Sequence, residues 1–453
     1  MSDRNNKLEN EKMTKLLMNL SVPATIAMIV NAMYNIVDTI FIGRGVGYLA
    51  IGGLTIAFPV QMMVMAIAQM IGIGAASIIS RSLGAKDVER ADHAAGNSFL
   101  SVGILGVFIC IFGLAFIDPL LKIFGATDIL LPYAKEYLQV ILVGSIYFPF
   151  AVSGNNLIRA EGNAKAAMFS MLIGTILNIM LDYIFIFPLD MGIRGAALAT
   201  ILSQLASVIY ILFYIYGGHS SLKVKLHHLK PDWQIISEII TVGFPSFARQ
   251  ASGSIIAIIM NNSLAFYGGE LAISIYGVLN RVTMFLFMPM FGVVQGMQPI
   301  AGFNYGAKKF GRVKEVVKLS IIVTTIYASI ATLFGELFPG QIIGVFNEDS
   351  ELIRNGIYAL RITISLIPIV GVQIIGASLF QSIGKAVPSL LLTLSRQVLL
   401  LIPLVLILPR ISGLGLLGIW MAVPIADFFS TIITLILVKK EMKLMEMKCK
   451  EAL

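Results

Sequence analysis

Twelve apolar stretches run along this chain of 453 residues, and the series repeats itself at a constant offset of 222 residues. Pro23 answers to Pro245, Leu49-Ala50-Ile51 to Leu271-Ala272-Ile273, Gly84-Ala85-Lys86 to Gly306-Ala307-Lys308, Phe124 to Phe346, and Gly162 to Gly384. Matches at one spacing, with no insertion between them, mark a duplicated unit. The stretches fall at roughly 16–42, 49–73, 95–117, 137–158, 166–188, 195–216, 239–266, 272–300, 319–338, 357–380, 388–409 and 415–438. At about 1.5 Å of rise per residue, each is long enough to cross about 30 Å of hydrocarbon as a helix. Backbone polar groups in hydrocarbon must be satisfied within the segment, so the expected fold is an all-α integral membrane protein with twelve transmembrane helices. Six spans return each half to its starting side. The halves are therefore expected as two six-helix lobes related by a pseudo-two-fold axis along the membrane normal.

Hydrophobic residues make up 57% of the chain and charged ones 13%, against about a quarter charged in a soluble domain. The net charge of +8 raises the question of nucleic acid, and its placement answers it. With the N-terminus inside, twenty-three lysines and arginines fall on inner segments, against Arg44, Lys122, Lys135, Arg194, Arg354 and Arg410 outside. That asymmetry predicts cytoplasmic termini in a multi-pass inner-membrane protein that partners the lipid bilayer and no nucleic acid. The expected division is 1–216 as N-terminal lobe, 217–236 as cytoplasmic linker and 237–453 as C-terminal lobe with a tail. The tail, KKEMKLMEMKCK, is read as a solvated charged end, with contact to anionic lipid as the alternative.

Cys110 and Cys449 lie too far apart in the pattern to form a disulfide, and no Cys/His metal cluster is expected. His219, His227 and His228 are read as solvated loop histidines of the linker, rather than a metal site or a pH sensor. The polar first fifteen residues lack the apolar core of a signal peptide. The Gly-Ala-Lys turn in each half is read as a helix end whose glycine stops the helix. Prolines 23, 59, 149, 245, 289, 368, 403 and 424 fall inside spans, where each is either a hinge or merely a bend.

Few ionisable residues lie within the spans. A charged Asp at a helix centre costs about 2.5–3.5 kcal/mol on insertion scales, so it usually faces protein or water. Asp38 heads a polar stripe with Asn35, Tyr34 and Asn31 on the first span. On the fifth, Thr175, Asn178 and Asp182 share a face; on the sixth, Thr200, Ser203 and Gln204 do. Asp38 lies five residues before the outer end, Asp182 six before Pro188, and Thr200 six after Arg194. All three thus sit roughly 8–9 Å below the outer surface, and one shared site becomes possible. Its hard oxygen donors, without thiol or imidazole, suit Na⁺ or protons rather than a transition metal. The alternative is hydrogen bonding between helices. Adding 222 to Asp38 and Asp182 gives Met260 and Leu404, so the duplicated fold did not require these acids.

The second half holds Arg249, Arg281, Arg396 and Asp427. An ion pair between Asp427 and one arginine is the natural way to make both tolerable, with coupling at Asp427 or anion binding at Arg249 as the alternative. Asn155 in the first half, and Asn261, Asn262, Asn280, Gln373 and Gln381 in the second, are candidates to line a cavity or to bond between helices. Twenty-two methionines and twenty-seven phenylalanines are compatible with an adaptable apolar cavity, but most must pack between helices or face lipid.

Taken together, the first span VPATIAMIVNAMYNIVDTIFIGRGVGYLAIGGLT, then SRSLGAKD, IRAEGNAKAAM, LNIMLDYIFIF and GIRGAALAT, resemble the multidrug and toxic compound extrusion (MATE) family over nearly the whole chain. The resemblance implies that Asp38, Asn178, Asp182 and Thr200 match that family's cation site. It also implies that Pro23 matches a proline at which the first helix bends. NorM-like branches place acids in the seventh and tenth spans; Arg249, Gln250 and Gln373 stand here instead, so the pattern is closer to the DinF-like branch. The expectation is an antiporter, active as a monomer and not an enzyme, that exports lipophilic and often cationic small organic molecules. It would run without an organic cofactor, driven by Na⁺ or H⁺, with possible Na⁺ at Asp38, Asn178, Asp182 and Thr200. A flippase for a lipid-linked precursor is the alternative, through Arg249 and Arg281. The chain has no Gly-x-x-x-x-Gly-Lys-Ser/Thr loop for a self-contained ATP-driven pump.

Overall fold

The computed structural model describes residues 3–346, 349–411 and 413–451. The side chains of Asn35 and Cys449, named above, lie outside the described residues. In order the helices are α1 (Asp3–Asn10), α2 (Met13–Gly45), α3 (Tyr48–Gly84), α4 (Val88–Ala115), α5 (Ile117–Ile123), α6 (Leu131–Gly144), α7 (Phe148–Ala160), α8 (Ala164–Ile186) and α9 (Gly192–Tyr216). There follow α10 (Trp233–Gly306), α11 (Phe310–Leu337), α12 (Pro339–Gly344), α13 (Ser350–Ile364), α14 (Ile367–Ser382), α15 (Ala386–Leu394), α16 (Ile402–Ile407) and α17 (Gly415–Glu451). No strand occurs among the described residues.

Nine of these stretches are long and apolar enough to cross a membrane, and two bent pairs bring the number to eleven. The 74-residue α10 turns at Gly269, where φ is 63° and ψ −160°, and so divides into two crossings. Gly47, which separates α2 from α3 with φ 114°, stands 222 residues earlier. Glycine is needed at both places because a side chain rarely tolerates a positive φ.

The fourth and tenth spans are not single helices. α6 and α7 meet at 49°, α13 and α14 at 48°. Pro149 and Pro368 stand in the first turn of the second helix of each pair, where the missing donor starts a helix at no cost but cannot continue the one before. Pro23, Pro59 and Pro424 instead lie within helices that run on. In the eleventh span a π-helical segment, Ser395–Leu401, joins α15 to α16 just ahead of Pro403.

The Gly-Ala-Lys turns differ from expectation in one respect. Gly84 and Gly306 are the last helical residues, and the left-handed conformation falls on Lys86 (φ 64°) and Lys308 (φ 58°). The amide of Asp87 then reaches the Ser82 carbonyl at 2.9 Å, and that of Lys309 reaches Asn304 at 2.8 Å, closing the helix ends.

Packing separates the chain into two units, one of Met1–Asn10 with Ile26–Phe247 and one of Glu11–Thr25 with Ala248–Leu453. The helix α2 changes allegiance directly after Thr25, two residues beyond Pro23, and α10 does so after Phe247, two beyond Pro245. In the first unit, Ile42, Ala57, Leu121, Leu138, Ile186 and Ala196 belong to one buried cluster. A Cβ on Gly74 or Gly243 would strike the carbonyls of Ile239 and Met70, so α3 and the first turns of α10 touch backbone to backbone. In the second unit Met260, Leu264, Leu360, Val405 and Trp420 are buried together. There Gly292 and Gly296 meet Thr25 and Ser21 of α2 in the same close manner.

Two polar stretches pack within the first unit. The N-terminal segment forms α1, whose Leu8 is buried against Gly162. The 217–236 stretch is docked on the first unit: Glu161 accepts from Ser220 Oγ and the Ser221 amide, and Asp92 Oδ1 accepts from the Lys223 amide at 2.7 Å. Asn97 donates to the carbonyls of His228 and Lys230 and accepts from the Asp232 amide. His228, expected in solvent, is only 1% exposed, because Gly96 lets the linker backbone sit directly on α4.

Candidate cation site in the first unit

Three helices bring the polar stripes together. Asp38 projects from α2, Asn178 and Asp182 from successive turns of α8, and Thr200 from α9; all four are buried, Asp182 completely. The carboxyl groups of Asp38 and Asp182 lie within hydrogen-bonding reach of each other. With the Asn178 amide oriented to satisfy both its ends, Nδ2 donates to Asp182 Oδ2 at 3.0 Å and Oδ1 accepts from the Thr200 amide at 3.2 Å. Thr200 Oγ1 donates to the Ala196 carbonyl at 3.0 Å, which leaves its lone pairs available. One oxygen of each acid, Oδ1 of Asp38 and Oδ1 of Asp182, is buried without a hydrogen-bond partner. Buried polar atoms are rarely left so, and here two of them belong to one pair of carboxyl groups.

Tyr34, half-buried one turn before Asp38, and Tyr137 of α6 are within electrostatic range of both acids. The Tyr137 hydroxyl accepts from Gln61 Nε2 at 3.1 Å. Neither Tyr137 nor Gln61 was legible as a site residue: each is a single polar group on a span with no companion stripe. Thr175 and Ser203 are buried on the faces that carry Asn178 and Thr200, whereas Gln204 is half-buried and Asn31 exposed.

Other candidates are engaged elsewhere. Asn155 donates to the Ala167 carbonyl and accepts from Arg159 Nη1 at 2.9 Å, while Arg159 Nη2 donates to Asn156 at 2.8 Å. In the second unit the Asp427 carboxylate pairs with Arg396, on the π-helical segment of the eleventh span. Gln373 Nε2 donates to the Asp427 carbonyl at 2.7 Å and to Thr431 Oγ1 at 2.8 Å. Gln373 thus bonds helix to helix. Arg249 is exposed with its guanidinium 5.2 Å from the Phe291 ring centre, and Asn261 is exposed. Pro23 is buried within a helix that continues through it, with Thr25 Oγ1 donating to the Ser21 carbonyl close by.

The MatE family profile matches residues 23–184 and matches again over 245–407. The chain belongs to the MatE family. Both matches open on the paired prolines Pro23 and Pro245, so the MatE unit is the half-chain and the duplication is a duplication of that unit. This MatE chain is similar to the multidrug export protein MepA of Staphylococcus aureus, 27% identical over 406 residues that cover 90% of this chain and 89% of the relative. Among solved structures it resembles the outward-facing conformation of a multidrug resistance MATE family transporter of the MOP superfamily. The TM-score is 0.92 at 29% identity, over 98% of this chain and 99% of that one. It also resembles a MATE in the bent conformation, with TM-score 0.93 and 29% identity over 99% of each chain. As a MatE protein the chain is a multi-pass membrane transporter.

Proposed function

We propose that this chain is a cation-coupled antiporter that exports lipophilic, often cationic, organic compounds across the cell membrane, with both termini in the cytoplasm. The observation that carries the reading is the buried pair Asp38 and Asp182, within reach of each other and each with an oxygen that no donor from another residue reaches. Two ionised carboxylates so close together repel, and a proton or Na⁺ between them removes the repulsion. Thr200 Oγ1 adds a neutral oxygen beside Asn178, whose Nδ2 is turned to Asp182, so the carboxylate-rich set fits Na⁺ as well as H⁺. Cargo of many kinds is supported by the names of the relatives, a multidrug export protein and a multidrug resistance transporter.

Cation entry would relieve the acid pair and let α2 and α8 draw together, and this rearrangement is the step that lowers affinity for the drug. A proton supplies about 1.4 kcal/mol per pH unit, and any inward charge adds about 2.3 kcal/mol per 100 mV. The flippase reading draws on Arg249 and Arg281; Arg396 adds nothing to it, since Asp427 neutralises that guanidinium.

The test is Asp38→Asn in vesicles loaded with a fluorescent dye under an imposed Na⁺ or pH gradient. The variant is expected to insert and fold, and its efflux to fall to the level of protein-free vesicles. Efflux equal to the native protein's would remove Asp38 from the mechanism.

A further inference from the structure

At the inner end of α4 a second polar cluster forms, and transport chemistry does not use it. Glu89 and His93, one helical turn apart, face His227 and His228 of the short 3₁₀ turn Leu226–Leu229. One ligand atom from each of the four lies within 4.8 Å of every other. Glu89 Oε1 is 3.0 Å from His228 Nε2, 3.4 Å from His227 Nε2 and 3.5 Å from His93 Nε2. Tetrahedral donors at 2.0–2.1 Å from a zinc ion are separated by about 3.3 Å, so these side chains need little movement to surround one. His219 takes no part; its ring lies beside those of Phe213 and Tyr214.

The cluster is held from both sides. Glu89 and His93 ride on a regular helix, and Asn97 and Gly96, on the next turn, anchor the linker backbone at His228. Protonation follows from the hydrogen bonds. The Lys225 amide donates to His228 Nδ1 at 3.0 Å, so a neutral His228 carries its proton on Nε2 and donates it to Glu89. Two imidazole nitrogens, on His93 and His227, and the remaining lone pairs of the Glu89 carboxylate are left as donors. Imidazole with one carboxylate suits Zn²⁺; Mg²⁺ and Ca²⁺ call for oxygen throughout.

We propose that Glu89, His93 and His227 form a Zn²⁺ site that fastens the linker between the two MatE repeats to the inner end of α4. Water completes the coordination. The site is chemically distinct from the acid pair, and its occupancy does not depend on the transport reading.

The experiment uses the full-length protein, purified in detergent on a tag without histidine and stripped with a chelator. Zn²⁺ is then titrated against a fluorescent zinc indicator. One Zn²⁺ per chain is expected for the native protein, with binding at least about tenfold weaker in Glu89→Gln, His93→Ala and His227→Ala, and no uptake of Mg²⁺ at the same concentrations. His227 is half exposed, so its variant keeps the test open should His93→Ala fail to fold. Limited proteolysis of 217–236 gives a second readout: Zn²⁺ should slow cleavage in the native protein and not in His227→Ala. Zinc uptake by the native protein no greater than that of a His93→Ala/His227→Ala double variant would overturn the site. Equal affinity in native protein and His227→Ala would do the same.

Discussion

Asn178 ties Asp182 to α9, because its two ends bond Asp182 on its own helix and the Thr200 backbone on the next. Asn178→Ala removes a donor that stabilises the ionised form of Asp182, an interaction worth about 1.5–3 kcal/mol, so with H⁺ as the coupling ion the half-saturating proton concentration should fall roughly tenfold or more. Dye efflux measured against H⁺ concentration reads this directly, and an unchanged half-saturation would mean that Asn178 only packs. At Asp427 the expected outcome is one of stability. Removing one member of a buried ion pair strands the other, at a cost of about 3–5 kcal/mol, whereas replacing both with apolar groups of similar size is often close to neutral. Asp427→Ala should therefore melt well below the native protein in detergent, and Arg396→Met with Asp427→Leu should recover most of the loss. Failure of the double variant to recover would show that Arg396 has a role outside the pair. Asp38 and Asp182 were legible from sequence because charge in hydrocarbon is rare, and Asn178 and Thr200 because they share a face or, by helical rise, a depth with those acids. Tyr137 and Gln61 were not, since hydroxyls and amides are common enough in spans to pass as helix-to-helix bonds.

At the level of elements, the duplication survives in the backbone at turns where the residue itself is kept in both halves. Lys86 and Lys308, Gly47 and Gly269, and Gly162 and Gly384 are all left-handed, and each pair is 222 residues apart. A lysine in that conformation carries strain that glycine does not, so Lys86→Gly should stabilise the protein by up to about 1 kcal/mol, net of glycine's greater freedom when unfolded. Thermal unfolding checks this, and a lower midpoint would mean that the lysine side chain matters more than its backbone. The number of spans and the repeat were legible because hydropathy and spacing are properties of whole segments. The breaks at Pro149 and Pro368 were not separable from the unbroken helices at Pro23, Pro59 and Pro424, because sequence shows a missing donor without showing which neighbour takes up the freed carbonyl. Docking of the linker was hidden for a related reason. Its partners Asp92, Asn97 and Glu161 look like ordinary loop-facing polar groups until the fold brings residue 97 against residue 228.

For the whole molecule, the two acids of the candidate site lie in the first MatE repeat, and the corresponding positions of the other hold Met260 and Leu404. Two carboxyl groups can neutralise at most two positive charges, which bounds the exchange and makes its electrical signature depend on the cargo. If one proton enters for each drug that leaves, a neutral drug moves one net charge and draws on both terms of the gradient. A pH difference of one unit with 100 mV then gives about 3.7 kcal/mol, enough for an outward concentration ratio on the order of a few hundredfold. A monovalent cationic drug exchanged for the same proton moves no net charge, so only the pH term remains and the ratio falls to about tenfold. Collapsing the membrane potential with a potassium ionophore in reconstituted vesicles should therefore slow efflux of a neutral dye and leave a monovalent cationic dye unaffected. With Na⁺ as the coupling ion the same pattern holds against a sodium gradient, and swapping the two gradients identifies the ion. Cationic dye efflux that follows the potential would require two inward charges per cycle, one for each acid. Efflux indifferent to potential, pH and Na⁺ alike would leave the acid pair without a part in energy coupling.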